Sequence, residues 1–414
     1  MSKPRRIPDR TRHLSEVGPQ AKMFKDFSAA RDRLTRKIVD YEPPEDQRTF
    51  LSRGKELGPF LPWGSDAPTP LPLKTAPSPT APLPKADYLV VTWTVAEGFA
   101  LGDTLTPGYR DVRGAKKPPV GVQPWYIYRR NWDSYLPKLR RSAPAIQAGR
   151  LGSYFMTRIG KATVLCFKCE LHLNRDWVSV DHPTIPVADL FTQIISEVEP
   201  KMVITTGTAG GTDDRTELGD VMVTRAAKFR LTREYKDAPF HNQVLKCSTL
   251  KPFSPQVFDH AQGLILAHYD KLDQTLAKRP PKIWVEGAAN EFPVFDPILT
   301  TDKFEYGTTK DGKFPNYLGS EGCGVEMGDA VLGLVIGQLE NPAPKPPWVL
   351  SVAIDVTRKV PFWLVIRNAS DPQIDSNLSP RQQVEEAANI YMKYGYWTTV
   401  NSAIAVWAVI MDRQ

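Results

Sequence analysis

Long apolar runs, a cysteine framework and the common cofactor fingerprints are all missing from this sequence. No apolar stretch reaches the ~20 residues that a membrane-spanning helix needs, and the basic N-terminus lacks the apolar core of a signal peptide. Four cysteines in 414 residues cannot build a disulfide scaffold, so a reducing, cytoplasmic location is the default expectation. Cys166 and Cys169 form a CxxC but fall inside a predicted strand, and Cys247 and Cys323 stand alone, which excludes a four-ligand zinc site. No metal and no organic cofactor is called for. The net charge of +7 is modest for the length. Its basic excess lies in the first 60 residues and in 109–141, so a wholly nucleic-acid-binding surface is not implied. No internal repeat is present.

Proline, by contrast, is abundant: 38 residues, clustered over 59–84. Residues 1–85 read as a basic, Pro-rich and largely irregular arm. One helix is predicted over 21–39, where Met23, Phe24, Phe27, Leu34 and Ile38 make a loose apolar stripe able to dock on the core or on a protein partner. The 59–84 stretch reads as an extended, semi-rigid linker, because proline removes backbone donors.

Folded order is expected over 86–414. A continuous β-branched run at 88–95 predicts a strand buried on both faces, ending at Ala96-Glu97-Gly98. Glu97 is then either a site residue or a solvated strand-end carboxylate. Residues 108–141 interleave Arg110, Arg113, Arg129, Arg130, Arg140 and Arg141 with Trp125, Tyr126, Tyr128 and Trp132. They form either a surface insertion or a cradle for phosphate and base. A hairpin through Gly160-Lys161, a helix over 184–198, a helix over 254–272 capped by Ser254, and short strands at 282–286 and 294–300 follow. A helix entered through Gly324-Val325-Glu326-Met327, strands at 348–355 and 362–368, and a final helix over 380–411 complete the chain. Strands alternating with helices argue for a three-layer αβα sandwich around a central mixed sheet.

The centre of this pattern is Val203-Ile204-Thr205-Thr206-Gly207-Thr208-Ala209-Gly210-Gly211, followed by Leu218-Gly219-Asp220-Val221. A strand running into small residues is where open α/β sheets hold ligands, although an ordinary Gly-rich loop reads the same way. The glycine spacing fits neither the dinucleotide fingerprint nor the P-loop.

Four segments in order resemble the nucleoside phosphorylase/nucleosidase superfamily, most closely its methylthioadenosine/adenosylhomocysteine nucleosidase branch. They are Val90-Val91-Thr92 with Glu97, Thr206 to Gly211 with Gly219-Asp220, Val325-Glu326-Met327, and Val360-Pro361-Phe362 with Arg367-Asn368-Ala369-Ser370-Asp371. The likeness covers about 87–411 and leaves the arm aside. It implies cleavage of the N-glycosidic bond of a purine nucleoside or nucleotide. Such a reaction needs an acid near the leaving base and a carboxylate near an attacking water.

By that resemblance Asp371 matches the acid, with Ser370 orienting it, and Glu97 matches the water-activating carboxylate. Phe304 falls where the base is stacked, Thr208, Ala209 and Gly210 line the sugar and water, and Met327 lies beneath the ribose. Two departures stand out. The family's second glutamate is missing, leaving Glu326 alone or Asp329 in its place to hold the sugar, and Thr92 replaces a strand-end glycine. The strand at 348–355 ends in Asp355 and offers a rival acid. Thr205 and Glu97 stand where phosphorolytic relatives place cations, which favours water over phosphate. Arg225 and Lys228 are further phosphate candidates. A phosphate-dependent phosphorylase and a catalytically silent nucleotide-binding module remain as alternatives, and a homodimer is implied by analogy alone.

Overall fold

The computed structural model describes residues 61–112, 121–173, 185–272, 275–287, 297–308, 318–341, 359–375 and 377–414. The helix expected over 21–39 and the strand expected over 348–355 lie outside them. In chain order the main elements begin with β1 (Tyr88–Thr92), α1 (Val95–Leu105), β2 (Gly152–Ile159), β3 (Ala162–Cys169) and α2 (Pro186–Val198). Next come β4 (Met202–Gly211), β5 (Val221–Thr224), β6 (Ala226–Arg230), β7 (Val244–Lys246) and α3 (Asp259–Leu266). The chain closes with β8 (Ile283–Val285), β9 (Ile298–Thr301), β10 (Gly324–Glu326), α4 (Asp329–Glu340), β11 (Phe362–Asp371) and α5 (Pro380–Asp412). A mixed central sheet carries helices α1, α3 and α5 packed together and α2 paired with α4. The architecture is the three-layer αβα arrangement expected from the alternation of strands and helices.

Strand β4 is the spine. It runs parallel to β1 over Met202 to Thr205 and parallel to β11 over Met202 to Gly210. At its far end Gly210 and Gly211 pair antiparallel with Val325 and Gly324 of β10. One edge of β4 therefore loses β1 after Thr205 and gains β10 only at Gly210. The backbone between these points is left for side chains to satisfy. The glycine-rich stretch is strand and not loop: β4 runs through to Gly211, paired with β11 as far as Gly210 and with β10 at Gly210 and Gly211.

Several boundaries differ from expectation for local reasons. β1 stops at Thr92 because Thr94-Val95-Ala96-Glu97 is a capping box, in which Thr94 Oγ1 accepts from Glu97 N and Glu97 Oε2 accepts from Thr94 N. Glu97 thus sits in the first turn of α1 and not at a strand end. Val325 and Glu326 close a strand before α4 begins at Asp329. The segment at 254–272 splits into a 3-10 turn (Pro255–Phe258), α3 and a second 3-10 turn (Tyr269–Lys271). Ser254 makes no cap bond there; its hydroxyl donates to Gln256 Oε1. The final helix is longer by a residue than expected and opens on a Ser379–Gln382 capping box.

The described part of the Pro-rich stretch lies against the fold and is not a free linker. Thr69–Pro70 pairs with Arg158 and Thr157 of β2, Trp63 packs at 4.9 Å on Trp407, and Trp407 Nε1 donates to Asp66 O. All four cysteines are buried thiols, with Cys166 and Cys169 inside β3 as read from sequence. Among the described residues no helix is long and apolar enough to cross a membrane, and no group of His, Cys, Asp and Glu could hold a metal.

Asp220 organises the far end of β5. It accepts from Arg279 Nη1 and Nη2 (2.8 and 2.7 Å), Lys282 N (2.8 Å) and Trp284 Nε1 (2.8 Å). Its role is to tie a loop to the sheet, so Asp220→Ala is expected to lower the unfolding free energy by ~3 kcal/mol. A denaturant midpoint measured against the parent chain checks this.

Candidate active site

A cavity of about 70 Å³ opens in the notch beside β4. It brings together Glu97 from α1, Thr208, Ala209 and Gly210 from β4, and Phe304 after β9. Glu326 at the end of β10, Met327 after it, and Ser370 and Asp371 at the end of β11 complete the set. Nine of the ten residues singled out from sequence therefore line one space. The tenth, Asp329, is fully buried outside the lining, and its carboxylate is engaged by Arg367.

Glu97 reaches across from the first turn of α1 to the bare stretch of β4. Its Oε1 accepts from Thr208 N and Thr208 Oγ1, both at 2.7 Å. Its Oε2 accepts from Thr92 Oγ1 (3.0 Å), Trp93 N (3.0 Å) and Thr94 N (2.8 Å). The threonine that replaces a strand-end glycine therefore supplies a hydrogen bond. Gly207, at φ +139°, permits the approach, since a Cβ there would lie 2.4 Å from Glu97 Oε1. Burial would raise the Glu97 pKa, but the charge of Arg367 and the Thr208 and Thr94 donors outweigh it and hold the carboxyl below its usual value.

Asp371 is the opposite case. It closes β11 where the register with β4 slips by one residue, and Ser370 Oγ donates to its Oδ1 at 2.8 Å. Oδ2 is buried with no hydrogen-bond partner among the described residues. Burial pushes this carboxyl up to about 7, opposed only by the Ser370 hydrogen bond. Gly210 makes room for it, since a Cβ at that position would lie 3.2 Å from Oδ2.

Arg367, buried in the cavity wall, stands in the quoted sequence motif without a role assigned there. Its Nε and Nη2 donate to Asp329 Oδ2 and Oδ1 (2.8 and 2.6 Å), and Nη2 also reaches Glu326 Oε2 at 3.4 Å. Nη1 lies 3.7 Å from Glu97 Oε1, and the guanidinium sits 4.9 Å over the ring of Trp93. Glu326 also accepts from Thr300 Oγ1, Gly328 N and Asp329 N. Burial first, and then the nearby Asp329 charge, push the Glu326 pKa up, with Arg367 opposing. Trp93, His172, Glu305 and Tyr391 also line the cavity and carried no signal in the sequence beyond their type.

The expected phosphate candidates are engaged elsewhere. Arg225 pairs with Glu286 and Lys228 with Glu321. Arg110 forks onto Asp103 inside the protein, and no described residue of 108–141 lines the cavity. Arg113 lies outside the described residues.

Two outcomes follow. Arg367→Met leaves Asp329 and Glu97 buried without their counter-charge and is expected to lower stability by ~3–5 kcal/mol, read as a drop in denaturant midpoint. Asp371→Asn removes a buried carboxyl whose folded pKa lies above its unfolded one, so the wild-type chain loses stability as pH rises from about 4 to 7. The melting-temperature difference, variant minus wild type, is expected to grow over that window and to level off above pH 7.

No protein-family model matches the chain, and no curated protein matches it. Solved structures do. The chain is similar to 5′-methylthioadenosine/S-adenosylhomocysteine nucleosidase from Helicobacter pylori at 12% identity, over 79% of this chain and 99% of that one, with a TM-score of 0.41. It is also similar to the futalosine hydrolase of Helicobacter pylori strain 26695 (11% identity, 78% and 97% covered, TM-score 0.39). The 5′-methylthioadenosine nucleosidase of Arabidopsis thaliana matches at 11% identity, over 79% and 96% of the two chains, with a TM-score of 0.39. The solved structures named here are thus nucleosidases and a hydrolase, matched along about four fifths of this chain.

Proposed function

We propose that this chain hydrolyses the N-glycosidic bond of a purine nucleoside or nucleotide, releasing the free base and the sugar. The observation that carries the reading is one cavity in which Asp371 Oδ2 lies buried without a hydrogen-bond partner among the described residues while Glu97 accepts five hydrogen bonds. Burial pushes the Asp371 carboxyl up to about 7, and Arg367 with the Thr208 and Thr94 donors holds Glu97 below its usual value.

The roles follow from those states. Cleavage leaves electrons on the base and positive charge on the sugar, so a neutral acid with an uncommitted oxygen belongs beside the base. Asp371 Oδ2 is that oxygen, and it gives its proton to N7 of the purine as the C1′–N9 bond breaks. Phe304 stacks on the base. The ionised Glu97 stabilises the oxocarbenium-like sugar and receives the proton of the attacking water. Five donors already occupy Glu97, and one of them is the Thr208 hydroxyl. The water oxygen bonds to C1′ while its proton passes to Thr208 Oγ1, whose own proton passes to Glu97 Oε1. Glu326 accepts from a ribose hydroxyl.

Water is favoured over phosphate as the nucleophile by charge. Among the described lining residues Arg367 is the one Arg or Lys, and Asp329 and Glu326 already engage it. A phosphate dianion would face the ionised Glu97, while Glu305 is paired with Arg230 and Lys303.

Base release from a panel of purine nucleosides and nucleotides, followed by chromatography with and without phosphate, tests the proposal. Release without phosphate is expected. Asp371→Asn and Glu97→Gln are each expected to lower kcat by at least about 100-fold, and the rate is expected to fall as pH rises through about 7, as Asp371 loses its proton. Thr208→Val should reduce kcat while Thr208→Ser retains it. Strict dependence on phosphate, or full activity in Asp371→Asn, would contradict the assignment.

A further inference from the structure

Besides Asp371 Oδ2, the cavity lining holds a second buried polar atom with no hydrogen-bond partner among the described residues: the indole Nε1 of Trp93. The reaction outlined above does not use it. A buried N–H without an acceptor is destabilising, and buried tryptophans normally find one. Its surroundings place Trp93 at the sugar end of the site. The backbone N–H of Trp93 is held by Glu97, and Arg367 covers its ring at 4.9 Å. Gly328 packs on the six-membered ring of the indole beside the nitrogen, where a Cβ would come 3.0 Å from Cζ2 and 3.2 Å from Cε2, the carbon bonded to Nε1. The same Gly328 donates its N–H to Glu326 Oε2, the oxygen that Arg367 Nη2 reaches at 3.4 Å. The indole edge and the Glu326 carboxylate are therefore linked through two shared neighbours.

An indole N–H only donates, and the Glu326 carboxyl offers acceptor oxygens in either protonation state. A hydroxyl satisfies both, donating a hydrogen bond to a Glu326 oxygen and accepting the indole N–H on its own. We propose that Trp93 Nε1 and Glu326 together hold one ribose hydroxyl, which makes Trp93 a specificity-determining residue for ribosides over analogues lacking that hydroxyl. The inference rests on the nucleoside reading of the cavity. It also supplies a donor where Asp329, bound to Arg367, has no carboxylate to offer the sugar.

The test is calorimetric binding to the full chain carrying Asp371→Asn, with and without Trp93→Phe, which keeps an aromatic ring against Arg367 and removes the donor. The probes are adenosine and inosine, each with its 2′-deoxy and 3′-deoxy forms. Trp93→Phe is expected to weaken the riboside and one deoxy form about three- to tenfold, and to leave the other deoxy form unchanged because that analogue lacks the bonded hydroxyl. Equal weakening of all three forms, no weakening, or no binding of any nucleoside would overturn the proposal. If Trp93→Phe does not fold, the single variant still decides. One deoxy form must bind at least threefold more weakly than the riboside, and equal affinities reject the inference. Wild-type base release, run alongside, separates the two readings: selective binding without release rejects the reaction and leaves the hydroxyl site standing.

Discussion

A single buried guanidinium sets the terms for this site. Arg367 shares its charge among Asp329, Glu326 and Glu97, and the three carboxylates cannot all be stabilised equally by one cation. Asp329 takes the forked geometry and stays out of the cavity. Glu97 is held ionised by the Arg367 charge at 3.7 Å together with five hydrogen-bond donors. Glu326 has the weakest share and is pushed toward its neutral form. Asp371 has no cation among the causes of its shift, and burial alone raises it. Glu97, Glu326 and Asp371 on one scaffold thus acquire different proton affinities through placement.

The placement depends on the sheet. Because β1 leaves β4 at Thr205 and β10 joins it at Gly210, the intervening backbone is unpaired on one edge. Thr208 N turns that loss of ladder bonding into a carboxylate-binding donor. The two glycines at 207 and 210 remove the Cβ atoms that would otherwise meet Glu97 and Asp371. The capping box that starts α1 does the rest, since the residue that caps the helix is the same Glu97 that reaches β4.

The alternation of strands and helices was legible in the sequence because buried strands such as β1 and β4 are continuous β-branched runs. Nine cavity-lining residues were legible as well, since they cluster in short segments at strand ends. The Arg367–Asp329 pair was not: 38 residues separate the partners, and nothing local announces it. The capping box was readable, as Thr94 and Glu97 have the required spacing, but the apolar run through Val95 concealed it. The basic, aromatic 108–141 segment misled because composition does not reveal that Arg110 turns inward onto Asp103, seven residues before it. Trp93 was invisible as a site residue, since a tryptophan ending a core strand ordinarily only packs.

The most direct measurement is site-resolved: carboxyl ¹³C chemical shifts, with Asp371→Asn and Glu97→Gln used to assign the two signals, followed from pH 4 to 9. Asp371 is expected to titrate near 7 while Glu97 remains ionised throughout the range above pH 5. An Asp371 signal already ionised at pH 5, or a Glu97 signal still protonated at pH 6, would contradict the account.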